Sequence, residues 1–241
     1  MINIIINGAN GRMGKQVIKL VENTPDFHLL ACGDSDTNLS QLIKTHNPDI
    51  VIDFTTSQVA YQNAKIIIEN NIHPVIGTSG LLPLQIAELT ELCAVKKLGG
   101  VIAPNFSISV VLMQRCAQLI AAYLPHVEII EMHHDGKLDS PSATAIKTAE
   151  LIAKVKEEIP NKASHEVIPH ARGALCHNIP IHAIRLPGLV AHEQIIFGNS
   201  GETLRLQHDS IDRDSFMPGV ALACRKVMEL QTLIYGLEHI I

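Results

Sequence analysis

Two adjacent histidines, His133 and His134, then Lys137, then a run reading SPSATA from Ser140 to Ala145 stand close together in this chain. A histidine that titrates near neutrality can give or take a proton, and a lysine three residues on supplies a fixed cation. Ser142 is a good N-cap, and Thr144, Ile146, Thr148, Leu151 and Ile152 follow it at helical spacing. The free amides at such a helix start suit an anion. Acid/base work on an anionic substrate is the chemistry these types favour. A metal is not expected, because neighbouring strand residues point to opposite faces and there is no HxxxH or clustered Cys/His spacing.

The histidine pair needs a strand to hold it, and Val127, Ile129 and Ile130 read as one that ends at a turn through Asp135 and Gly136. The other reactant needs a different device. Residues 2–6 are an apolar, β-branched run leading directly into GANGRMG at 8–14, after which Val17, Ile18 and Val21 repeat at helical spacing. Strand, glycine turn and helix in that order hold a dinucleotide pyrophosphate at a helix N-terminus. The pattern is GxxGxxG, with Asn10 at the middle position of the commoner GxGxxG. Residues 29–32 read as a second strand, and Asp34, just beyond it and twenty residues after Gly14, can accept from adenosine ribose hydroxyls. An acid there repels a 2′-phosphate, and Ser35 rather than arginine follows it, so NADH is favoured over NADPH.

Strands over 50–54, 74–76 and 100–103 alternate with helices over 59–70 and 83–96, which predicts a parallel sheet with ligand loops at its carboxyl edge. Loops 77–80 and 103–106 lie at that edge. Beyond Ser107 come a long apolar helix over 108–124, the histidine strand, and a helix from Ser142 to about Glu158. A polar stretch with Pro160, Pro169 and Gly173 follows; its His170 and Arg172 read as a solvated loop. Runs over 181–186, 190–197 and 202–208 read as a β-meander, and residues 214–235 as a closing helix. The expected fold is α/β: a Rossmann-type doubly wound parallel sheet from residues 1–104 and 210–241, with an α+β unit, residues 105–209, inserted. An open sheet in so small a unit is a natural subunit interface.

With 241 residues, 46% of them hydrophobic, the chain can bury one large or two modest cores. A net charge of −5, eight aromatic residues and no tryptophan argue against a nucleic-acid surface. Any anionic ligand is therefore held by local positive charge. Five scattered cysteines without a CxxC pair fit a reducing compartment. No apolar run approaches the ~18 residues of a membrane span, and the start shows no leader pattern, so a cytoplasmic protein is expected.

Several separated motifs together resemble the 4-hydroxy-tetrahydrodipicolinate reductase (dihydrodipicolinate reductase) family over almost the full length. They are GANGRMG at 8–14, DFTTS at 53–57, GTSG at 77–80, APNFS at 103–107, EMHHDGKLDSPSATA at 131–145 and HAIRLPGLVAHEQIIFG at 182–198. The resemblance implies a nicotinamide-dependent reductase of lysine biosynthesis via diaminopimelate, acting on a small dicarboxylate as a homotetramer. It implies His133 as the acid/base residue, Lys137 as proton donor, His134 as a substrate contact, and Ala143 and Thr144 as holders of the substrate carboxylate. For the NADH or NADPH cofactor it implies Gly8, Ala9, Asn10, Gly11, Arg12, Met13, Asp34, Gly77, Thr78, Ser79, Ala103, Pro104, Asn105 and Phe106.

The chain departs from the family pattern at three places. DSPSATA stands where DAPSGTA is common, so Ala143 replaces a glycine beside the expected carboxylate; Ser109 and Ser79 replace a common glycine and threonine. A methyl at position 143 matters if the backbone there needs positive φ. Two other readings share the first domain: an aspartate- or homoserine-dehydrogenase-like enzyme, and a non-catalytic dinucleotide sensor. The HHxxK run argues against the first, and the intact set of His133, Lys137 and Thr144 against the second.

Overall fold

The computed structural model describes residues 1–157 and 165–241. They divide into two units, Met1–Ile108 with Arg213–Ile241, and Ser109–Asp212. In the first unit the order is β1 (Ile2–Asn7), α1 (Arg12–Glu22), β2 (Phe27–Gly33), α2 (Leu39–His46), β3 (Ile50–Asp53), α3 (Ser57–Glu69), β4 (His73–Ile76), α4 (Pro83–Lys96) and β5 (Gly100–Ile102). The second unit runs α5 (Ile108–Ala121), β6 (His126–His133), α6 (Ala143–Ala153), β7 (Ala174–Cys176), β8 (Ile179–Arg185), β9 (Ala191–Asn199) and β10 (Glu202–Ser210). A 3-10 turn at Arg213–Phe216, α7 (Met217–Lys226) and β11 (Leu233–Tyr235) return to the first. No helix among the described residues is long and apolar enough to cross a membrane.

The first sheet has the order β11-β5-β4-β3-β1-β2, and every pair in it is parallel. This is the doubly wound Rossmann-type sheet. Ile4, Ile5, Ile6, Ile50, Val51, Ile52, Val75 and Ile76 are all excluded from solvent, because helices cover both faces. The order reverses at β1, so its carboxyl end and that of β3 flank the crevice where such sheets bind ligands. Helix α2 was absent from the sequence reading. Only Leu39 and Ile43 of its eight residues are buried, too few for a clear period, and Asn38 caps it by accepting from the Gln41 N–H at 3.1 Å.

The second sheet is mixed, with the order β10-β9-β6-β8-β7. The expected meander is therefore corrected. Of the three expected runs, β9 and β10 pair as a hairpin but β8 and β9 do not: β6 lies between β8, parallel to it, and β9, antiparallel to it. A turn at Pro187-Gly188 reverses direction but carries no signal that another strand will fill the gap. Met113, Ala117 and Ala121 of α5 and Ala145, Ala149 and Ile152 of α6 pack on Val127, Ile129, Ile181, Ile195 and Phe197 of the sheet.

The closing helix is also shorter than expected, ending at Lys226, and Leu233–Tyr235 is a strand parallel to β5. Val227, Leu230 and Leu233 continue the helical spacing, so periodicity cannot see the break. The open edge of β5 decides it, since pairing there satisfies the backbone and buries Leu233 to 3% exposure. Helix α6 ends at Ala153, short of the expected end at Glu158, and Glu158 and Pro160 lie outside the described residues.

Candidate functional site

In the first unit the loop after β1 is shaped by two close approaches. Gly8 has φ +83°, and a Cβ there would lie 2.6 Å from the Phe54 carbonyl oxygen; a Cβ on Gly14 would lie 2.2 Å from the Gly8 carbonyl oxygen. The N–H groups of Gly8 and Ala9 are used on the Gly33 carbonyl, which fixes the turn to β2. Helix α1 then starts at Arg12 with no side-chain cap on Gly11 and no acid in its first turn. Amides there remain available to an anion, which fits a pyrophosphate.

Asp34 reaches back across this loop, accepting from the Asn10 N–H at 2.8 Å and from the Ser35 N–H at 2.8 Å. Those bonds, Ser35 first, hold its carboxyl below the ordinary value. The remaining edge loops are joined by a buried carboxylate that the sequence reading did not assign. Asp53, at the end of β3, accepts from Asn7 at 2.8 Å, Asn63 at 2.8 Å, the Thr55 hydroxyl at 2.7 Å and Thr78 at 3.1 Å. It thereby ties the ends of β1, β3 and β4 to α3. The Phe54 ring lies against Gly77, where a Cβ would meet it at 2.0 Å, and packs on Phe106 with centroids 5.8 Å apart. Ala103 and Phe106 are buried, whereas Pro104 is exposed and Asn105 half-buried, its side chain capping the Ser107 N–H at 2.8 Å. Thr78 is buried and Ser79 exposed; Arg12 is exposed and Met13 half-buried.

In the second unit the histidine pair ends β6 as expected, with His133 half-buried on the helix-covered face and His134 exposed. The partner of His133 is Glu131, two residues earlier and hence on the same face. His133 Nδ1 lies 2.6 Å from Glu131 Oε2. Glu131 is wholly excluded from solvent, yet four donors surround it. Besides His133 they are Arg185 through Nη1 at 2.8 Å and Nη2 at 2.7 Å, and the Ser142 N–H at 3.1 Å. Burial pushes the Glu131 carboxyl up, but Arg185 and His133 outweigh it, and the group stays below its ordinary value. For His133, burial outweighs the pull of Glu131 and lowers the pKa, favouring the neutral ring, whose Nδ1–H donates to Glu131.

Glu131 thus binds the strand to the helix start. Ser142 caps α6 by accepting from the Ala145 N–H at 3.2 Å while its own N–H is held by Glu131. Ala143 is the first helical residue and exposed, so its backbone is at ease with a side chain and its methyl points to open space. Lys137 closes the intervening turn through its N–H to the His134 carbonyl, and its ammonium is matched by both oxygens of Asp139 at 2.7 and 2.8 Å. Arg185 also donates to the Asp139 carbonyl at 2.8 Å. In the polar loop, Arg172 pairs with Glu128 and His170 has φ +67°.

Sequence reading missed Glu131, Arg185, Asp139 and Asp53 as parts of these sites. The spacing of Glu131 and His133, two apart in a strand, is a signal for a shared face; Arg185 lies 54 residues from Glu131 and has none. Models of the dihydrodipicolinate reductase N-terminus and C-terminus match residues 2–106 and 109–241. The 4-hydroxy-tetrahydrodipicolinate reductase of Coxiella burnetii (strain RSA 493 / Nine Mile phase I) is 49% identical over 240 residues, 100% of this chain and 99% of its own. That of Legionella pneumophila (strain Paris) is 49% identical over 239 residues, 99% and 98% of the two chains. A solved structure of a dipicolinate-bound dihydrodipicolinate reductase from Paenisporosarcina sp. TG-14 superimposes with a TM-score of 0.92 at 42% identity, covering 100% of both chains. With two family models spanning nearly all of its length and relatives this similar, the chain belongs to the dihydrodipicolinate reductase family, pyridine-nucleotide-dependent oxidoreductases of lysine and diaminopimelate biosynthesis.

Proposed function

We propose that this chain reduces 4-hydroxy-tetrahydrodipicolinate to tetrahydrodipicolinate with NADH or NADPH and loss of water, in lysine biosynthesis via diaminopimelate. The Glu131–His133 pair beside the start of α6 carries the reading: an oriented acid/base residue next to amides and a lysine suited to a carboxylate. The dinucleotide belongs to the first unit, at Gly8 to Met13, Asp34, Gly77 to Ser79 and Ala103 to Phe106. A bound reduced nicotinamide supplies the hydride. The second unit binds the substrate and assembles a homotetramer, and the enzyme works in the cytoplasm.

The residues of the second unit divide the remaining work. Lys137 and the α6 amides at Ala143 and Thr144 hold one substrate carboxylate, and His134 adds a further contact. Glu131 fixes the His133 tautomer, leaving Nε2 toward the substrate side. A dianionic substrate raises the proton affinity of that neutral ring, so His133 takes up a proton as substrate binds. Reduction leaves electron density on the substrate ring and expulsion of hydroxide needs a proton; His133 and Lys137 are the acids at hand.

Loss of nicotinamide absorbance, followed with freshly generated substrate and either cofactor, tests this directly. Consumption that depends on the substrate supports the reductase; cofactor binding without turnover overturns it. Asp34 supports NADH as the better cofactor, since a 2′-phosphate beside its carboxylate meets a like charge. A higher kcat/KM with NADPH removes that part.

A further inference from the structure

Strands β6, β9 and β10 set three titratable side chains in one cross-strand row. Glu131 is registered opposite Glu193, and Glu193 opposite His208. The row continues the apolar pairs Val127–Phe197 and Ile129–Ile195, so both carboxyl groups occupy core positions beneath α5 and α6. Glu193 is only 4% exposed.

Two carboxyl groups side by side in such a place do not readily ionise together. Glu131 has four donors and keeps its charge. Glu193 has none comparable: its Oε1 is buried without a partner, and its contact is Thr148 of α6. The Thr148 hydroxyl has one hydrogen, given to the Thr144 carbonyl at 3.0 Å, and it accepts from Gln114 Nε2 at 3.1 Å. What it offers Glu193 is a lone pair, so the shared hydrogen is the carboxyl's own. Burial pushes Glu193 up to about 7, and the Glu131 charge adds to this.

We propose that Glu193 is a positioning residue that carries its own proton, leaves Glu131 the only negative charge in the row, and so sets the proton affinity of His133. It also holds the Thr144 turn of α6 through Thr148. Ionisation of Glu193 adds a second charge behind Glu131 and draws the Thr148 hydrogen away from the Thr144 carbonyl. The charged or titratable groups around it are Glu131 and, through it, His133 on β6, Arg185 on β8 and His208 on β10; α5 and α6 present the uncharged Gln114 and Thr148. A charge on the order of 10 Å from His133, at an effective dielectric near 20, changes its proton affinity about tenfold. The proposal rests on His133 as the acid/base residue.

The test is the NMR titration of the His133 ring in the full, ligand-free chain and in Glu193→Gln and Glu193→Leu. In the parent the curve is expected to be broader than that of a single group, extending past pH 7. In Glu193→Gln, which has the shape of the protonated acid, it becomes a single-site curve, with protonation at pH 8 reduced about tenfold. Glu193→Leu, which extends the apolar row, gives the same narrowing. An unchanged His133 curve in the folded Gln variant overturns the proposal, whatever the Leu variant does. Because no substrate or turnover enters this measurement, a chain that shows the coupling but reduces nothing refutes the functional reading alone.

Discussion

Glu131 on β6 and Arg185 on β8 meet through two hydrogen bonds of 2.7 and 2.8 Å, with the carboxylate wholly buried. This bidentate pair holds the charge that orients His133. Glu131→Gln should leave the Arg185 guanidinium without its counter-charge, at a cost of about 3–5 kcal/mol. Equilibrium denaturation measures it, and a loss below about 1 kcal/mol, the scale of an exposed ion pair, would show that the pair is not what holds the site together.

His133→Ala keeps the Glu131–Arg185 pair intact and removes only the proposed proton carrier. Turnover should fall by about 10²- to 10⁴-fold while NADH affinity is unchanged. Steady-state kinetics beside a dinucleotide titration separate the two, and an unchanged kcat would take His133 out of the chemistry.

Asp139 holds the ammonium of Lys137, the proposed carboxylate-binding cation. Its carboxylate grips the ammonium at 2.7 and 2.8 Å and is kept below its ordinary pKa chiefly by that bond. Asp139→Asn removes a negative charge at the proposed dicarboxylate site, but keeps the backbone carbonyl that Arg185 uses. The expected result is a KM several-fold lower with kcat little altered. A higher KM would instead mean that Asp139 positions the lysine for its substrate.

Glu193 makes stability depend on pH. Its folded pKa, about 7, is raised above the ordinary 4.5, so its contribution is fully present below about pH 4.5 and is lost as pH rises through about 7. Glu193→Gln has no proton to lose. The Gln variant should therefore gain on the parent between about pH 4.5 and 7, by an amount on the order of 3 kcal/mol above that window. Parallel melting curves across pH would refute this if the two proteins ran at a constant offset.

The helix at 142–153 shows how far local reading reaches. Ser142 as N-cap, the apolar spacing beyond it and the histidine strand before it are local facts, legible because capping and periodicity act within a few residues. The glycine loop was legible partly for the same reason: Gly14 is demanded by approaches of under 3 Å to Gly8 and Ala9 within one turn, whereas the atoms that crowd Gly8 belong to Phe54, far along the chain. Where local signals were ambiguous the reading failed, as at residues 227–235, where helical spacing ran on into a strand recruited by the open edge of β5.

By itself, then, the sequence determined the strand-glycine-helix opening, the alternating parallel sheet, the HHxxK strand end and the family those motifs mark. Each depends on spacing along the chain. Tertiary structure alone decided that β6 enters between β8 and β9, that Arg185 reaches Glu131 from 54 residues away, and that Glu193 comes to rest beside Glu131 in the core. Burial and cross-strand register create those charges' partners, and neither exists until the sheet has formed.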